Sequence, residues 1–268
     1  MRRTGLAAHV NNCLIFDIET VPDTELGAQE LGLTKIPDDS IAQAMFFHQA
    51  QKSGSEFLPL HQHRVVAISV VLRNGEDFKV LSLGEPDSDE AELVRLFFDG
   101  VAHYQPTLVS WNGSGFDLPV LHYRALKHGV RAPAYWDVGE HNREARFNNY
   151  LGRFHWRHID VMDVLAGYQA RAKARLDVIA TMLGFPGKMG MSGAHVWDAF
   201  RAGEIDAIRN YCETDVLNTY LVFLRFQYMR GELTDSTLKT ELQVVRDALA
   251  AAPETHLQEF LSAWNEGG

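Results

Sequence analysis

Residues 14–23 read LIFDIETVPD, an apolar stretch of strand type broken by two acids, Asp17 and Glu19. Residues two apart on a strand share a face, so both carboxylates leave one side of the ribbon while Phe16 and Ile18 leave the other. Two like charges abreast on an apolar strand need a reason. Either the strand lies at a solvent-facing edge, or the two acids share a ligand that neutralises them.

Outward from this strand, RVVAISVVL (64–72) is a second apolar run, Asn74-Gly75 is a hairpin turn pair, and FKVLSL (78–83) is a third run. The first three strands are therefore predicted to form a meander. Asp87-Ser88-Asp89 supplies N-cap oxygens for a helix through Leu93, Leu96 and Phe97, with Gly100 as its expected stop. Thr107–Trp111 reads as a short strand, Asn112–Gly115 as a turn, and the stretch from about Phe116 to His128 as a helix closed by Gly129. Leu176, Ile179, Ala180 and Leu183 recur at helical spacing, and a long helix is predicted from about Glu204 to Arg230.

This order predicts an α/β fold, a mixed β-sheet flanked by helices. Residues 25–60 read as a mostly helical insertion within a domain spanning 10–231. The tail, 232–268, carries Leu238, Leu242, Val245 and Leu249, then Leu257, Phe260, Leu261 and Trp264, two amphipathic helices parted by Pro253. Their apolar faces are expected to dock on the domain, on a protein partner or on a second copy.

The chain's 268 residues, 46% of them apolar, suffice for a packed core. Cys13 and Cys212 lack metal-ligand spacing, which argues against a disulfide framework or thiolate zinc site and fits a reducing, cytoplasmic setting. No run of about 18 apolar residues occurs, so no membrane partner is expected, and the opening residues lack a secretory apolar segment. The net charge of −10 disfavours indiscriminate coating of a nucleic-acid duplex. From Arg124 to Arg175, however, ten Lys or Arg face five Asp or Glu. That segment is either a solvated face or a contact surface for an anionic polymer. His155 and His158 lack the spacing of a histidine metal pair.

Two further acidic places carry chemistry. In NGSGFD (112–117), Asp117 sits where a strand hands over to a helix; in YCETD (211–215), Tyr211 and Asp215 share one helix face. Taken singly, Asp117 reads as a helix cap and the Tyr211–Asp215 pair as a surface contact. Four carboxylates gathered in one pocket would repel by about 1 kcal/mol per pair at 4 Å in water, and about 4 kcal/mol at an effective dielectric of 20. Hard divalent cations, Mg²⁺ or Mn²⁺, are what collects such a set. Two ions about 3.5–4 Å apart clamp both the attacking and the leaving oxygen of a phosphodiester.

FDIET (16–20), NGSGFD and YCETD, in this order, resemble the signature of the DEDD 3′-5′ exonucleases of the ribonuclease H-like fold, and the tyrosine looks like the DEDDy branch. The stretch LGFPGKMGMSGAHVWDAFRAGEIDAIRNYCETDVLNTY (183–220) is similar to predicted exonucleases related to the proofreading domain of B-family DNA polymerases. The resemblance covers roughly residues 10–230. It implies that Asp17, Glu19, Asp117 and Asp215 bind two Mg²⁺ or Mn²⁺ ions and that Tyr211 orients the attacking water. Lesser substrate contacts are expected at Thr20, Asn112, Phe116 and Lys188. The implied activity is metal-dependent removal of nucleotides from the 3′ end of single-stranded nucleic acid, DNA favoured and RNA possible, yielding 5′-mononucleotides. The competing reading is a non-catalytic module that holds a 3′ end, or an interaction subunit of a repair or replication complex.

Overall fold

The computed structural model describes residues 8–267. Five strands, β1 (Asn12–Pro22), β2 (His63–Asn74), β3 (Asp77–Ser82), β4 (Thr107–Ser110) and β5 (His158–Asp160), form one sheet in the order β3-β2-β1-β4-β5. The pairs β1·β2 and β2·β3 are antiparallel, the expected meander, whereas β1·β4 and β4·β5 are parallel. The sheet is thus mixed, and β1 is its middle strand. An exposed edge does not account for Asp17 and Glu19.

In chain order the helices are α1 (Ala8–Asn11), α2 (Thr24–Leu31), α3 (Asp38–Ser53), α4 (Glu90–Tyr104), α5 (Asp117–His128), α6 (Pro133–Trp136), α7 (Val161–Leu165), α8 (Leu176–Met182), α9 (Val196–Arg201), α10 (Ile205–Met229), α11 (Asp235–Ala251) and α12 (Thr255–Gly267). They cover both faces of the sheet, and the alternation along β1 shows how. Leu14, Phe16 and Ile18 are buried with Phe97 and Val101 of α4 and Leu118 and Leu121 of α5. Cys13 and Ile15 point the other way, into a core built with Val216, Leu217 and Tyr220 of α10. A strand covered on both sides reads as a continuous apolar run, which is why its two acids stand out.

The same α10-side core takes in Leu238, Val245 and Leu249 of α11 and Phe260 and Trp264 of α12. The apolar faces of the tail helices therefore lie on the chain's own domain. A buried pair fixes the docking: Arg73 of β2 donates twice to Glu241 of α11, at 3.0 and 2.9 Å, and the Tyr220 hydroxyl donates to the same carboxylate at 3.0 Å. In the 25–60 excursion, Ala28 and Leu31 of α2 pack on a cluster of Ile41 and Met45 of α3 with Leu58.

One helix end departs from its sequence signal. Asp89 does cap α4, accepting from the Glu92 N–H at 2.8 Å, but the helix runs through Gly100 to Tyr104. Val101 is fully buried against the sheet, and burying that side chain outweighs the roughly 1 kcal/mol a mid-helix glycine costs. The helix ends instead at Gln105, in the left-handed region at φ 44, just before Pro106. Among the described residues, no helix is long and apolar enough to cross a membrane.

Candidate active site

The α10-facing side of β1 begins with Cys13 and Ile15 and continues with Asp17 and Glu19. Pairing with β4 stops at Ile15, so both acids lie at the carboxyl end of β1, past the point where its parallel neighbour leaves the sheet. Such strand ends are where open α/β sheets form crevices. The ladder to β2 also slips here, with Glu19 opposite Ala67 but Thr20 opposite Val65, the local twist of a bulge. Asp17 is left partly exposed, and Glu19 is only 7% exposed.

Where β4 ends, Asn112–Phe116 turn the chain into α5. Asn112 sits at φ 69, a left-handed conformation asparagine tolerates better than most side chains. A Cβ on Gly113 would lie 2.2 Å from Ser110 Oγ, so the tight turn needs glycine there. Asp160, at the end of β5, clamps the turn by accepting from the N–H groups of Asn112 (3.0 Å) and Ser114 (2.9 Å), and caps α7 through the Asp163 N–H (3.1 Å). Asp117 then opens α5, and its Oδ1 accepts from the Ile18 N–H at 3.2 Å. This hydrogen bond stitches the second motif to the strand between the two acids of the first.

The third motif arrives on α10. Cys212 Sγ approaches the Asp17 carbonyl at 3.4 Å and its Oδ2 at 3.6 Å. Donor atoms of Asp17, Glu19 and Cys212 lie within 4.8 Å of one another. Tyr211 and Asp215, flanking Cys212 on the same helix, border the adjoining cleft. Glu213 points away, accepting from Ser82 Oγ at 2.7 Å and facing His256 Nε2 of α12 at 2.7 Å.

The electrostatics of the cluster are lopsided. Burial raises Asp17 and Glu19 well above the usual carboxylate range, and repulsion within the set raises them further: Asp117, Glu19 and Asp215 act on Asp17, and Asp215 and Asp117 on Glu19. Asp117, 3% exposed, is pushed up to about 7 by burial against the pull of two backbone hydrogen bonds. Asp215 is pushed up to about 6 by burial, while the Tyr211 phenol draws it down. Two of the nearby cations are spent elsewhere, Lys173 on Asp163 at 2.9 Å and Arg175 on Asp177 at 2.6 Å, and a third, Lys188, stands on the wall of the adjoining cleft. Two charges within 4.8 Å of each other repel by about 3.5 kcal/mol or more at an effective dielectric of 20, and the ion pairs among the described residues leave all four acids uncompensated. Such an oxygen donor set fits hard divalent cations. Burial and the neighbouring acids push the Cys212 thiol up.

A cleft of about 490 Å³ opens beside Tyr211 and Asp215, with Asn112, Lys173, Arg175 and Lys188 among its walls. Asn112 and Lys188 thus reach the same space as the third motif, and Lys173 Nζ donates to Asn112 Oδ1 at 3.3 Å. Thr20 and Phe116 meet elsewhere, through His63. Thr20 Oγ1 lies 2.8 Å from His63 Nδ1, and the Phe116 ring stands edge-on to His63 at 5.1 Å and next to Phe57 at 5.7 Å. His158 is bound to Ser110 Oγ at 2.9 Å and burial pulls it down to about 4; His155 Nδ1 accepts from the Asn149 N–H at 3.0 Å. Both rings are engaged within the protein.

Sequence reasoning missed Asp160 and Cys212. The signal for Asp160 was faint, an aspartate between a short apolar strand and a helix. Cys212 carried none apart from its place inside YCETD.

Residues 55–264 match the family model described as predicted 3′-5′ exonuclease related to the exonuclease domain of PolB. The matched stretch contains the second and third motifs and runs into α12, while Asp17 and Glu19 precede it. A DNA polymerase of Archaeoglobus fulgidus is 25% identical over 175 residues, 63% of this chain and 21% of that protein. DNA polymerase 1 of Sulfurisphaera ohwakuensis is 46% identical over 43 residues, 16% of this chain and 5% of that protein. The solved family B DNA polymerase from the hyperthermophilic archaeon Pyrobaculum calidifontis is similar with a TM-score of 0.49 and 18% identity, covering 94% of this chain and 27% of that one. This chain therefore spans about a fifth of the length of the Archaeoglobus polymerase.

Proposed function

This chain belongs to the predicted 3′-5′ exonucleases related to the exonuclease domain of PolB, and from that premise we propose that it hydrolyses single-stranded nucleic acid from the 3′ end. DNA is the favoured substrate, given that the matched relatives are DNA polymerases, and RNA the lesser one. The products are 5′-mononucleotides. The observation that carries this reading is the approach of carboxylates from three distant segments, none of which makes an ion pair among the described residues.

Asp17, Glu19, Asp117 and Asp215 would hold two Mg²⁺ or Mn²⁺ ions. When bound, the ions supply charge stabilisation at the phosphoryl oxygens and a water acidic enough to attack. The chain's own groups do the positioning. Asp117 is aimed by its hydrogen bond from Ile18 and by the Asp160-clamped turn. Burial, then Asp215 and Glu19, push the Tyr211 phenol far above its usual range, so it stays protonated at neutral pH. It acts as a hydrogen-bond donor that orients the attacking water, not as the base. Lys188 brings positive charge to the substrate backbone from the cleft wall, and Asn112 offers its amide. Phe116 and Thr20, which meet through His63, would contact the terminal nucleotide.

The test is direct. End-labelled DNA and RNA oligonucleotides are incubated with Mg²⁺, Mn²⁺ or EDTA, beside Asp17→Ala and Asp215→Ala. Metal-supported shortening from the 3′ end is expected, falling about a thousand-fold or more in both variants, because the ions contribute several kcal/mol to the transition state. Binding without shortening would identify a 3′-end-holding module instead. Equal cutting by wild type and variants would rule out this site.

A further inference from the structure

A second cavity, of about 520 Å³, adjoins the cleft. A partition divides them: Asn112, Met162 and Lys173 line the cleft, whereas Ser114, Gly115, Asp160 and Asp163 line the cavity. The stretch 141–158, HNREARFNNYLGRFHWRH, supplies most of the far wall and interleaves arginines with aromatics.

The wall is aromatic inside and cationic at the mouth. Tyr135 and Tyr150 stack with ring centroids 5.4 Å apart and planes 7° apart, and His122 Nε2 lies 3.0 Å from the Tyr135 hydroxyl. At the mouth Phe154 is 74% exposed and meets Tyr168 edge-on at 5.3 Å. The Arg153 guanidinium lies 4.7 Å from the Tyr168 ring centroid and is 3.8 Å from Asp163. Tyr168 holds this place from the left-handed region, at φ 61, a conformation a tyrosine adopts only where its surroundings impose it.

We propose that this cavity receives a nucleobase of the substrate strand upstream of the 3′ end, stacked on Phe154 and edge-on to Tyr168, with Arg153 on an adjacent phosphate; this rests on the exonuclease reading above. Two observations choose a polynucleotide as the occupant. Lys173 links the two spaces, reaching Asn112 at 3.3 Å on the cleft side and Asp163 at 2.9 Å on the cavity side, and Arg153 reaches the same Asp163 at 3.8 Å from the mouth, so one carboxylate joins a cation of the cleft to a cation of the cavity. The basic segment 124–175 also contributes Arg153 to this flank. Of its cations Arg124 and Lys127 are consumed by Asp23 and Glu90, whereas Arg153 stays half-exposed at the mouth. Aromatic faces with flanking cations are the sequence-tolerant way to hold single strands.

The experiment uses the full chain with Phe154→Ala, Arg153→Ala and the conservative Phe154→Trp. Fluorescence anisotropy in EDTA measures binding of labelled trinucleotide and decanucleotide, and KM and kcat for the decanucleotide are taken with Mn²⁺. Both alanine variants are expected to weaken decanucleotide binding about ten-fold, to raise KM with kcat held, and to erase the preference for the longer strand; Phe154→Trp restores it. Unaltered circular dichroism melts will separate this from misfolding. Decanucleotide affinity within two-fold of wild type in both alanine variants would overturn the inference. Weakened binding by the variants, with no shortening by wild type in either metal, would uphold it and sink the exonuclease reading. Wild type that fails to bind the decanucleotide would sink both.

Discussion

Two sets of buried carboxylates lie next to each other in this molecule and obey opposite rules. Asp23, just past the end of β1, and Glu90, at the start of α4, are gripped by Arg124, which donates to them at 2.6 Å and at 2.7 and 2.5 Å. Burial pushes Asp23 up, but hydrogen bonds from Arg124, Lys127 and the Leu26 N–H more than reverse it, leaving it below the usual range. Six residues earlier, on β1 itself, Asp17 has three acids for neighbours and is driven up. Where the fold itself needs buried acids, it brings an arginine to them. The unpartnered set is kept in a costly state, and that cost makes sense when the neutralising charge arrives from outside the chain.

The contrast can be broken most forcefully at Arg124. Arg124→Met should leave Asp23 and Glu90 buried without their main cation and destabilise the protein by about 3–5 kcal/mol, read from urea unfolding. A loss under about 1 kcal/mol would mean that Lys127 and His128 hold these acids unaided, and the distinction between the two sets would fade.

A pH series without metal comes next. Asp117 and Asp215 bind protons more tightly when folded, at about 7 and about 6 against 3.8 for the ordinary side chain. Between pH ~4 and ~7 the native state therefore holds more protons than the unfolded state, and stability falls as pH rises through that window. Asp23, with its lowered value, works in the other direction and loses its contribution only as pH drops toward and below about 4. In EDTA the melting temperature should decline from pH 5 to 7.5 by the equivalent of a few kcal/mol. Adding Mn²⁺ should flatten the decline. A profile already flat in EDTA would show that the four acids are compensated within the protein.

The smallest effect sharpens the role of Tyr211. Tyr211→Phe removes one hydroxyl next to Asp215 and should lower kcat about ten- to a hundred-fold while leaving KM within two-fold. The slope of the pH–rate profile below neutrality should not change, since a phenol this far raised is never the base. Wild-type kcat in the phenylalanine variant would remove Tyr211 from the machinery.

The legibility of the molecule followed the range of the interactions involved. The facing of Asp17 with Glu19, the turn before Asp117 and the spacing of Tyr211 and Asp215 were readable because strand and helix periods are local properties of the backbone. The stop at Gly100 failed because Val101 is held by a sheet lying elsewhere in the chain. Asp160 escaped notice because its work is to bind the N–H groups of Asn112 and Ser114, 48 and 46 residues away.

From sequence alone came the alternation of the sheet, the helices that cover it and the face on which each acid stands, all set by steric rules acting over a few residues. The folded chain alone made β1 the central strand, set Asp117 on Ile18 across 99 residues and Cys212 on Asp17 across 195, and, among the described residues, left the four acids of that junction without an ion pair. Those outcomes depend on which distant surfaces close together and exclude water, and desolvation and repulsion come into being only once that closure has happened.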